Sequence, residues 1–332
     1  MDSLNSTLSV PSIVHPPFFF INGFYNIPHV KYYYIFLLFV FVVTVLGNSF
    51  VMFIICTQHS FHTPKYLALF NLAVADLCES TALIPNLIKT FLFDSQYISF
   101  DACISNMFFV FFFSFMESLI LSVMAYDRFV AICFPLRYHT IITNRKMAVI
   151  LTILWTYNSL LLVSTIPLIT RLSFCKSIVV DSYFCDHGPI YRLACNDYYP
   201  NYVMAYVNIV FSLYIPFILI VLSYVFITRA LLKIATWEGR LKALKTCSSH
   251  LILVAIYYLP VIGTYIAAVT FTLHPNARII NTSLSFAIPP MLNPIIYVLN
   301  TEEIKECTKK HFKRKKVAVL KKPMVARLYH NF

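Results

Sequence analysis

The chain has 332 residues, 59% of them hydrophobic and only 12% charged, with a mean hydropathy of +0.73. A soluble domain is nearer a quarter charged, so this composition excludes a water-soluble enzyme or carrier and indicates a polytopic membrane protein. The net charge of +12 raises acidic partners, nucleic acid among them, and the placement of that charge decides against nucleic acid.

Residues 1–31 hold Asp2, Pro11, Pro16, Pro17 and Pro28, with no basic stretch ahead of an apolar core. No secretory signal peptide is expected, and the first span serves as an uncleaved anchor. Phe18–Ile21 is apolar but far below spanning length. Five glycines and 17% aromatics favour helices over a β-barrel. Apolar runs of spanning length then follow at about 32–56, 67–92, 102–130, 147–170, 202–228, 244–272 and 279–299. Pro85, Pro167, Pro216, Pro260 and Pro294 fall inside them, where neighbouring helices can satisfy the carbonyls that proline frees. The fold expected is an all-α membrane protein, a seven-transmembrane helix bundle.

Twenty of the 26 Lys and Arg fall on one side of these spans. They comprise Lys65, Arg128, Arg137, Arg145, Lys146, Arg229, Lys233, Arg240, Lys242, Lys245 and ten residues beyond position 300. The positive-inside bias puts that side in the cytoplasm and the N-terminus outside. Three parts result: an extracellular tail (1–31), the seven-span domain (32–299) and a cytoplasmic segment (300–332). In the last, Thr301 precedes Glu302 and Glu303, a good helix start. Ile304, Cys307, Thr308 and Phe312 share a face, so a short amphipathic helix is expected with its lysines against anionic membrane lipid. Asn5-Ser6-Thr7 is a usable external glycosylation sequon, whereas Asn281-Thr282-Ser283 starts the seventh span, close to the membrane.

Several segments carry a more specific signal. Met124-Ala125-Tyr126-Asp127-Arg128-Phe129-Val130-Ala131-Ile132-Cys133 closes the third span, Gly47-Asn48 lies in the first and Leu72-Ala73-Val74-Ala75-Asp76-Leu77 in the second. Phe61-His62-Thr63-Pro64-Lys65-Tyr66 forms the first inner loop and Ser223-Tyr224 marks the fifth span. Lys242-Ala243-Leu244-Lys245-Thr246-Cys247-Ser248-Ser249-His250-Leu251 opens the sixth, and Pro290-Met291-Leu292-Asn293-Pro294-Ile295-Ile296-Tyr297 ends the seventh. From about Gly47 to Lys305 the chain resembles the odorant (olfactory) receptors among the rhodopsin-like G-protein-coupled receptors. The loop Cys185-Asp186-His187-Gly188-Pro189 looks like members found in fishes, which suggests water-soluble odorants by analogy. Tyr257-Tyr258-Leu259-Pro260 departs from the family, where an aromatic pair is usually followed by glycine.

The resemblance implies a small-molecule odorant ligand, a stimulatory heterotrimeric G protein as partner and a plasma-membrane location. Of nine cysteines, four lie on the external side: Cys103, Cys175, Cys185 and Cys195. Sequence alone allows three pairings, and the family implies Cys103–Cys185 and Cys175–Cys195. Asp76 and Glu117 are the acids deepest in the spans; if they converge, they either share a proton or bind a cation. The family implies sodium there, the one cofactor expected, with Asn48, Asn293 and Ser118 completing a polar network. Glu79, about one turn from Asp76, is expected to face another side. Asp127 and Arg128 form the implied switch: paired at rest, with Arg128 turning on activation toward Tyr224 while Tyr297 swings inward and His250 moves with the sixth helix. A packing histidine is the plainer reading of His250.

Helical turns counted from Cys103 point Met107, Val110, Phe111, Ser114 and Phe115 into a pocket. Asn208 and Ser212, then Tyr258, Ile262 and Tyr265, then Phe286 are expected to face them from the fifth, sixth and seventh spans. Such an apolar cavity with a few polar groups suits a small molecule. Val110 offers no carboxylate to an amine, and the seventh span has no lysine for a retinal Schiff base. The first alternative is a rhodopsin-like receptor for a non-odorant small molecule; a transporter or channel comes behind it, supported only by Asp76 and Glu117, since no internal repeats occur. No His-Glu-x-x-His, Gly-x-Ser-x-Gly or paired Gly-x-Gly-Asp motif is present, so no enzyme is expected.

Overall fold

The computed structural model describes residues 13–24, 29–93, 95–270, 274–300 and 303–307, without the side chains of 90–92, 242, 246, 264–270, 275 and 300. Among the described residues, seven helices are long and apolar enough to cross a membrane. They are α1 (Val30–Thr57), α2 (Pro64–Leu92), α3 (Phe100–Cys133), α4 (Asn144–Thr170), α5 (Tyr199–Lys233), α6 (Trp237–Thr270) and α7 (Pro275–Asn300). Six expected spans lie wholly inside these helices. The sixth, expected to end at 272, is described as helix only to Thr270.

The apolar pattern finds the hydrocarbon-facing stretch, while backbone bonding carries each helix past it. α3 illustrates this: 34 residues make about 50 Å of helix, against roughly 30 Å of hydrocarbon. α3 is also the central element, packed against α2, α4, α5 and α6, and Met116, Ile120 and Leu121 on it are fully buried. α5 contains a five-residue π turn, Val210–Tyr214, just before Pro216.

Two expected motif residues explain how α1 meets α7. A Cβ on Gly47 would stand 2.8 Å from Pro294 Cγ, so only glycine allows this approach. In α7, Pro294 has no N–H to give the carbonyl of Pro290 four residues earlier. The side chain of Asn48 supplies the missing donor, its Nδ2 lying 2.9 Å from Pro290 O.

One end of the bundle carries a three-stranded sheet that the all-α expectation omits. β1 (Phe18–Ile21) is its middle strand, antiparallel to β2 (Tyr97–Ser99) and parallel to β3 (Val179–Val180). Phe19, fully buried, packs edge-on to Phe174 and against Phe100. His15 stacks on Phe100 at 4.3 Å and its Nε2 meets the carbonyl of Thr170 at 2.8 Å. Residues of the N-terminal segment are therefore built into a lid. At the opposite end, residues 303–307 are helical, with Ile304 buried and the Glu303 carboxylate held by Tyr66 Oη and Lys65 Nζ. The Tyr66 hydrogen bond is the main reason the Glu303 carboxyl is held below its usual range. The rest of the expected amphipathic helix, including Thr308 and Phe312, and the sequon residue Asn5 lie outside the described residues.

Candidate ligand pocket and switch

The lid loop is tied down by Cys103–Cys185, with Cα atoms 5.4 Å apart, and closed on itself by Cys175–Cys195. The first bond sets Phe184 directly over α3. There it joins Phe111 at 5.9 Å and Phe286 at 5.9 Å, while Phe111 also meets Phe115 and Phe286. Phe111, Phe115 and Phe286 are thus brought together as expected, and Phe184 is the wall that helix counting missed. Its adjacency to Cys185 was the available signal. Met107, Val110 and Ser114 are buried along the same helix, Met107 among the lid residues and Val110 among α1, α2 and α7 side chains.

From α5, Asn208 Nδ2 donates to Thr165 Oγ1, leaving its Oδ1 without a partner; Ser212, buried in the π turn, leaves its hydroxyl unpartnered. Ile262 is half-buried against the main core. Tyr265 has its side chain outside the described residues. Tyr258 is fully buried between helices. Its hydroxyl bonds Ser118 Oγ at 2.7 Å and its ring packs on Phe217, so it braces α6 against α3 and α5 below the aromatic group. The same bond removes Ser118 from the expected carboxylate network. Asn48 is absent from it too, committed to Pro290 and Thr44.

One turn further along α3 the carboxylates do converge. Asn293 Nδ2 donates to both oxygens of Asp76, at 3.1 and 3.0 Å, and to Glu117 Oε1 at 2.9 Å. Glu79 does not face away. It is buried, within hydrogen-bonding reach of Glu117 and Ser114. The helical wheel explains this: three residues turn about 300°, only about 60° short of Asp76's own face. Among the described residues no three His, Cys, Asp or Glu side chains converge tightly enough to ligate a metal ion. As the carboxylates stand, the amide of Asn293 bridges two of them.

At the far end of α3, Arg128 Nη2 lies 3.7 Å from Asp127 Oδ2, and both side chains are buried. Asp127 Oδ1 accepts a bond from Tyr138 Oη at 2.7 Å, a partner in the following short loop helix that sequence reasoning missed. Tyr224 Oη and His250 Nδ1 are 2.8 Å apart, and His250 Nε2 meets the carbonyl of Leu121 at 3.0 Å. His250 is thus a buried histidine with both ring nitrogens engaged, tying α6 to α5 and α3 at once. Tyr297 Oη reaches Met124 Sδ at 3.5 Å. Tyr224 and His250 are joined to each other, while Arg128 pairs with Asp127 and Tyr297 with Met124. These groups form the latch: the Asp127–Arg128 pair lies within α3, and the Tyr224–His250 bond is one of several that tie α6 to its neighbours, beside His250–Leu121, Tyr257–Ser114 and Tyr258–Ser118.

A family profile described as olfactory receptor matches residues 37–315. The chain belongs to the olfactory receptor family. Olfactory receptor 51E2 of Homo sapiens is 39% identical over 270 residues, covering 81% of this chain and 84% of its own. Olfactory receptor 1E16 of Mus musculus is 35% identical over 292 residues, 87% of this chain and 92% of its own. Olfactory receptor 51F2 of Homo sapiens is 36% identical over 308 residues, 92% of this chain and 89% of its own. The receptor is a multi-pass membrane protein and not an enzyme.

The receptor's lid also holds a titratable pair, His187 buried and Asp186 half-buried. Burial lowers the His187 imidazole to about 4, and its Nε2 has no hydrogen-bond partner. Beside it, burial raises the Asp186 carboxyl, opposed by the Arg278 charge and the Gly188 N–H. Between pH 6.5 and about 4 the unfolded chain binds a proton at position 187 that the folded lid refuses, so stability falls as pH drops through that window. Asp186 works in the opposite sense at the acidic end, so the His187 effect is cleanest near pH 5.5. There it amounts to about 1 kcal/mol. Thermal unfolding of purified receptor should occur at lower temperature at pH 5.5 than at pH 7, and His187→Phe should flatten that difference. An unchanged pH slope in the variant would reject the assignment.

Proposed function

We propose that this receptor lies in the plasma membrane with its lid outside, binds a small-molecule odorant beneath the lid and activates a stimulatory heterotrimeric G protein inside. The observation that carries this reading is the order of groups along α3. Phe111 and Phe115 belong to the aromatic group under the lid, Glu117 to the carboxylate cluster, and Asp127 and Arg128 to the latch. One central helix thus connects the aromatic group under the lid to the latch, a two-state element that a ligand biases by binding one state better.

The uneven distribution of Lys and Arg supports this orientation. Asn281 offers its side chain to the carbonyl of Pro260 within the bundle, so of the two sequons Asn5 is the one proposed to carry glycan. Sodium is proposed as an allosteric ion at Asp76 and Glu117.

The test is agonist-driven cyclic-AMP production after an odorant screen that includes water-soluble compounds. Arg128→Ala should cut the maximal response at least tenfold, since it removes the charge that α3 presents to the G protein. Surface expression should stay near wild type, because Asp127 keeps its bond to Tyr138. Full signalling by Arg128→Ala at matched surface levels would refute the coupling mechanism, and agonist-gated ion current from the purified protein alone would favour a channel.

A further inference from the structure

α3, α4 and α5 leave a groove of about 370 Å³ between them on the bundle's outer surface, toward the Arg128 end. Its walls are Val123, Tyr126, Phe129, Leu219, Leu222 and Phe226, with Ile150 closing the α4 side. Leu219, Leu222 and Phe226 are each about half exposed. Two serines also line it, but neither offers a donor. Ser122 Oγ is spent on Leu119 O and Ser223 Oγ on Leu219 O. Apart from the Tyr126 hydroxyl and the two serine oxygens the groove is apolar, and its setting in a membrane-spanning bundle turns it toward hydrocarbon. From Leu219 to Phe226 it runs about 10 Å along α5, a stretch that one acyl chain can follow. Its mouth is different. The Arg229 guanidinium stands over the Phe226 ring, 5.9 Å from its centre, exposed and one turn nearer the helix end.

We propose that this groove is a phospholipid site: one acyl chain lies against Leu222 and Phe129, and the phosphate of an anionic headgroup meets Arg229. Charge complementarity selects this occupant. A sterol fills the apolar part but leaves Arg229 without an anion, and another apolar helix does the same. The site also has a consequence for signalling. Tyr126 and Phe129 flank the Asp127–Arg128 pair, and Ser223 precedes Tyr224, so the lipid packs on the back of both halves of the latch. Occupancy holds α3 and α5 together at the place where the latch must rearrange. The proposal rests on the transmembrane reading and on the orientation proposed above, but not on the odorant assignment.

The full-length receptor can be tested in nanodiscs of phosphatidylcholine containing a trace of phosphatidylserine or phosphatidylcholine with a photoreactive acyl chain. Labelled peptides are then mapped without agonist or G protein, so a failure here leaves the receptor reading untouched. The serine lipid should label residues 122–129 and 219–229 about fivefold more than the choline lipid, the worth of one basic side chain against an anionic lipid. Arg229→Gln should erase that preference. Leu222→Trp, which fills the groove, should remove labelling by both probes, while Leu222→Ala, which opens it, should retain labelling and serve as the folding control. Equal labelling by the two headgroups in the wild type, or undiminished labelling in Leu222→Trp, overturns the proposal. So does displacement of the probe by cholesterol, which would mark a sterol site. Receptor–receptor crosslinking through Leu222→Cys would overturn it as well, by showing a second copy in the groove.

Discussion

Replacing Cys103 or Cys185 with serine is expected to leave less than about a tenth of the receptor at the cell surface and no measurable agonist response. Loss of a native disulfide costs about 2–5 kcal/mol, a large part of a total stability of about 5–15 kcal/mol. Here the consequence reaches further than the bond. The same loop carries Phe184 onto Phe111 and Phe286, holds β3 beside β1, and buries His187 under the lid. Without its anchor to α3, the loop keeps the Cys185 N–H to Asn106 Oδ1 contact, at 3.4 Å, and the Phe184–Phe111 ring contact to hold it at that point. Cys175→Ser should behave differently. That bond closes about 20 residues, worth at most roughly 3 kcal/mol. Its two strands are also joined by the Phe174–Ala194 bridge, by Cys195 N–H to Ser173 O, and by Arg171 Nη2 to Asp197 O. Surface staining and dose–response curves on the three variants separate these cases. Wild-type surface levels and potency in Cys103→Ser would sink the anchoring role, and equal damage from Cys175→Ser would sink the distinction.

What could be read in the chain before folding divides along physical lines. The seven helices were legible because hydrocarbon demands a long apolar run, and a run is a local property. The meeting of Asp76, Glu117 and Asn293 came from the family resemblance; the residues alone gave only that carboxylates so costly in that setting serve a purpose. Partners chosen by long-range packing were not legible. Phe18–Ile21 is visibly apolar, yet its pairing with residues about 80 and 160 positions away depends on where two loops happen to fold. Tyr138 and Tyr66 are two tyrosines among 22, and nothing local marks the first as the partner of Asp127 or the second as the partner of Glu303. Tyr258 shows the same dependence on packing. Helix counting places a residue on a face, but its hydroxyl found Ser118 on the neighbouring helix, and that bond sets the direction of the ring.

Glu79 changes what the carboxylate cluster is expected to do. Asp76, Glu79 and Glu117 are each about 1% exposed or less, and three ionised carboxylates in that volume are too costly to coexist. Asn293 supplies its donors to Asp76 and Glu117. Two carboxyl groups in hydrogen-bonding reach of each other, Glu79 and Glu117, need one proton between them. With that one proton the three carboxylates carry two negative charges, the anionic site in which the sodium proposed above would sit. Sodium should therefore lower agonist affinity in the wild type, by a factor on the order of ten. Asp76→Asn should abolish that dependence by removing the anion. Glu79→Gln is the discriminating variant: its amide donates to Glu117 as the shared proton did, so the sodium effect should persist. Glu79→Leu removes the donor and should weaken both folding and the sodium response. Agonist dose–response curves in sodium and in N-methylglucamine buffers measure all four receptors. If wild-type affinity is the same in both buffers, the cluster holds only its proton; if Glu79→Gln behaves like Asp76→Asn, the proton does not sit where the geometry places it.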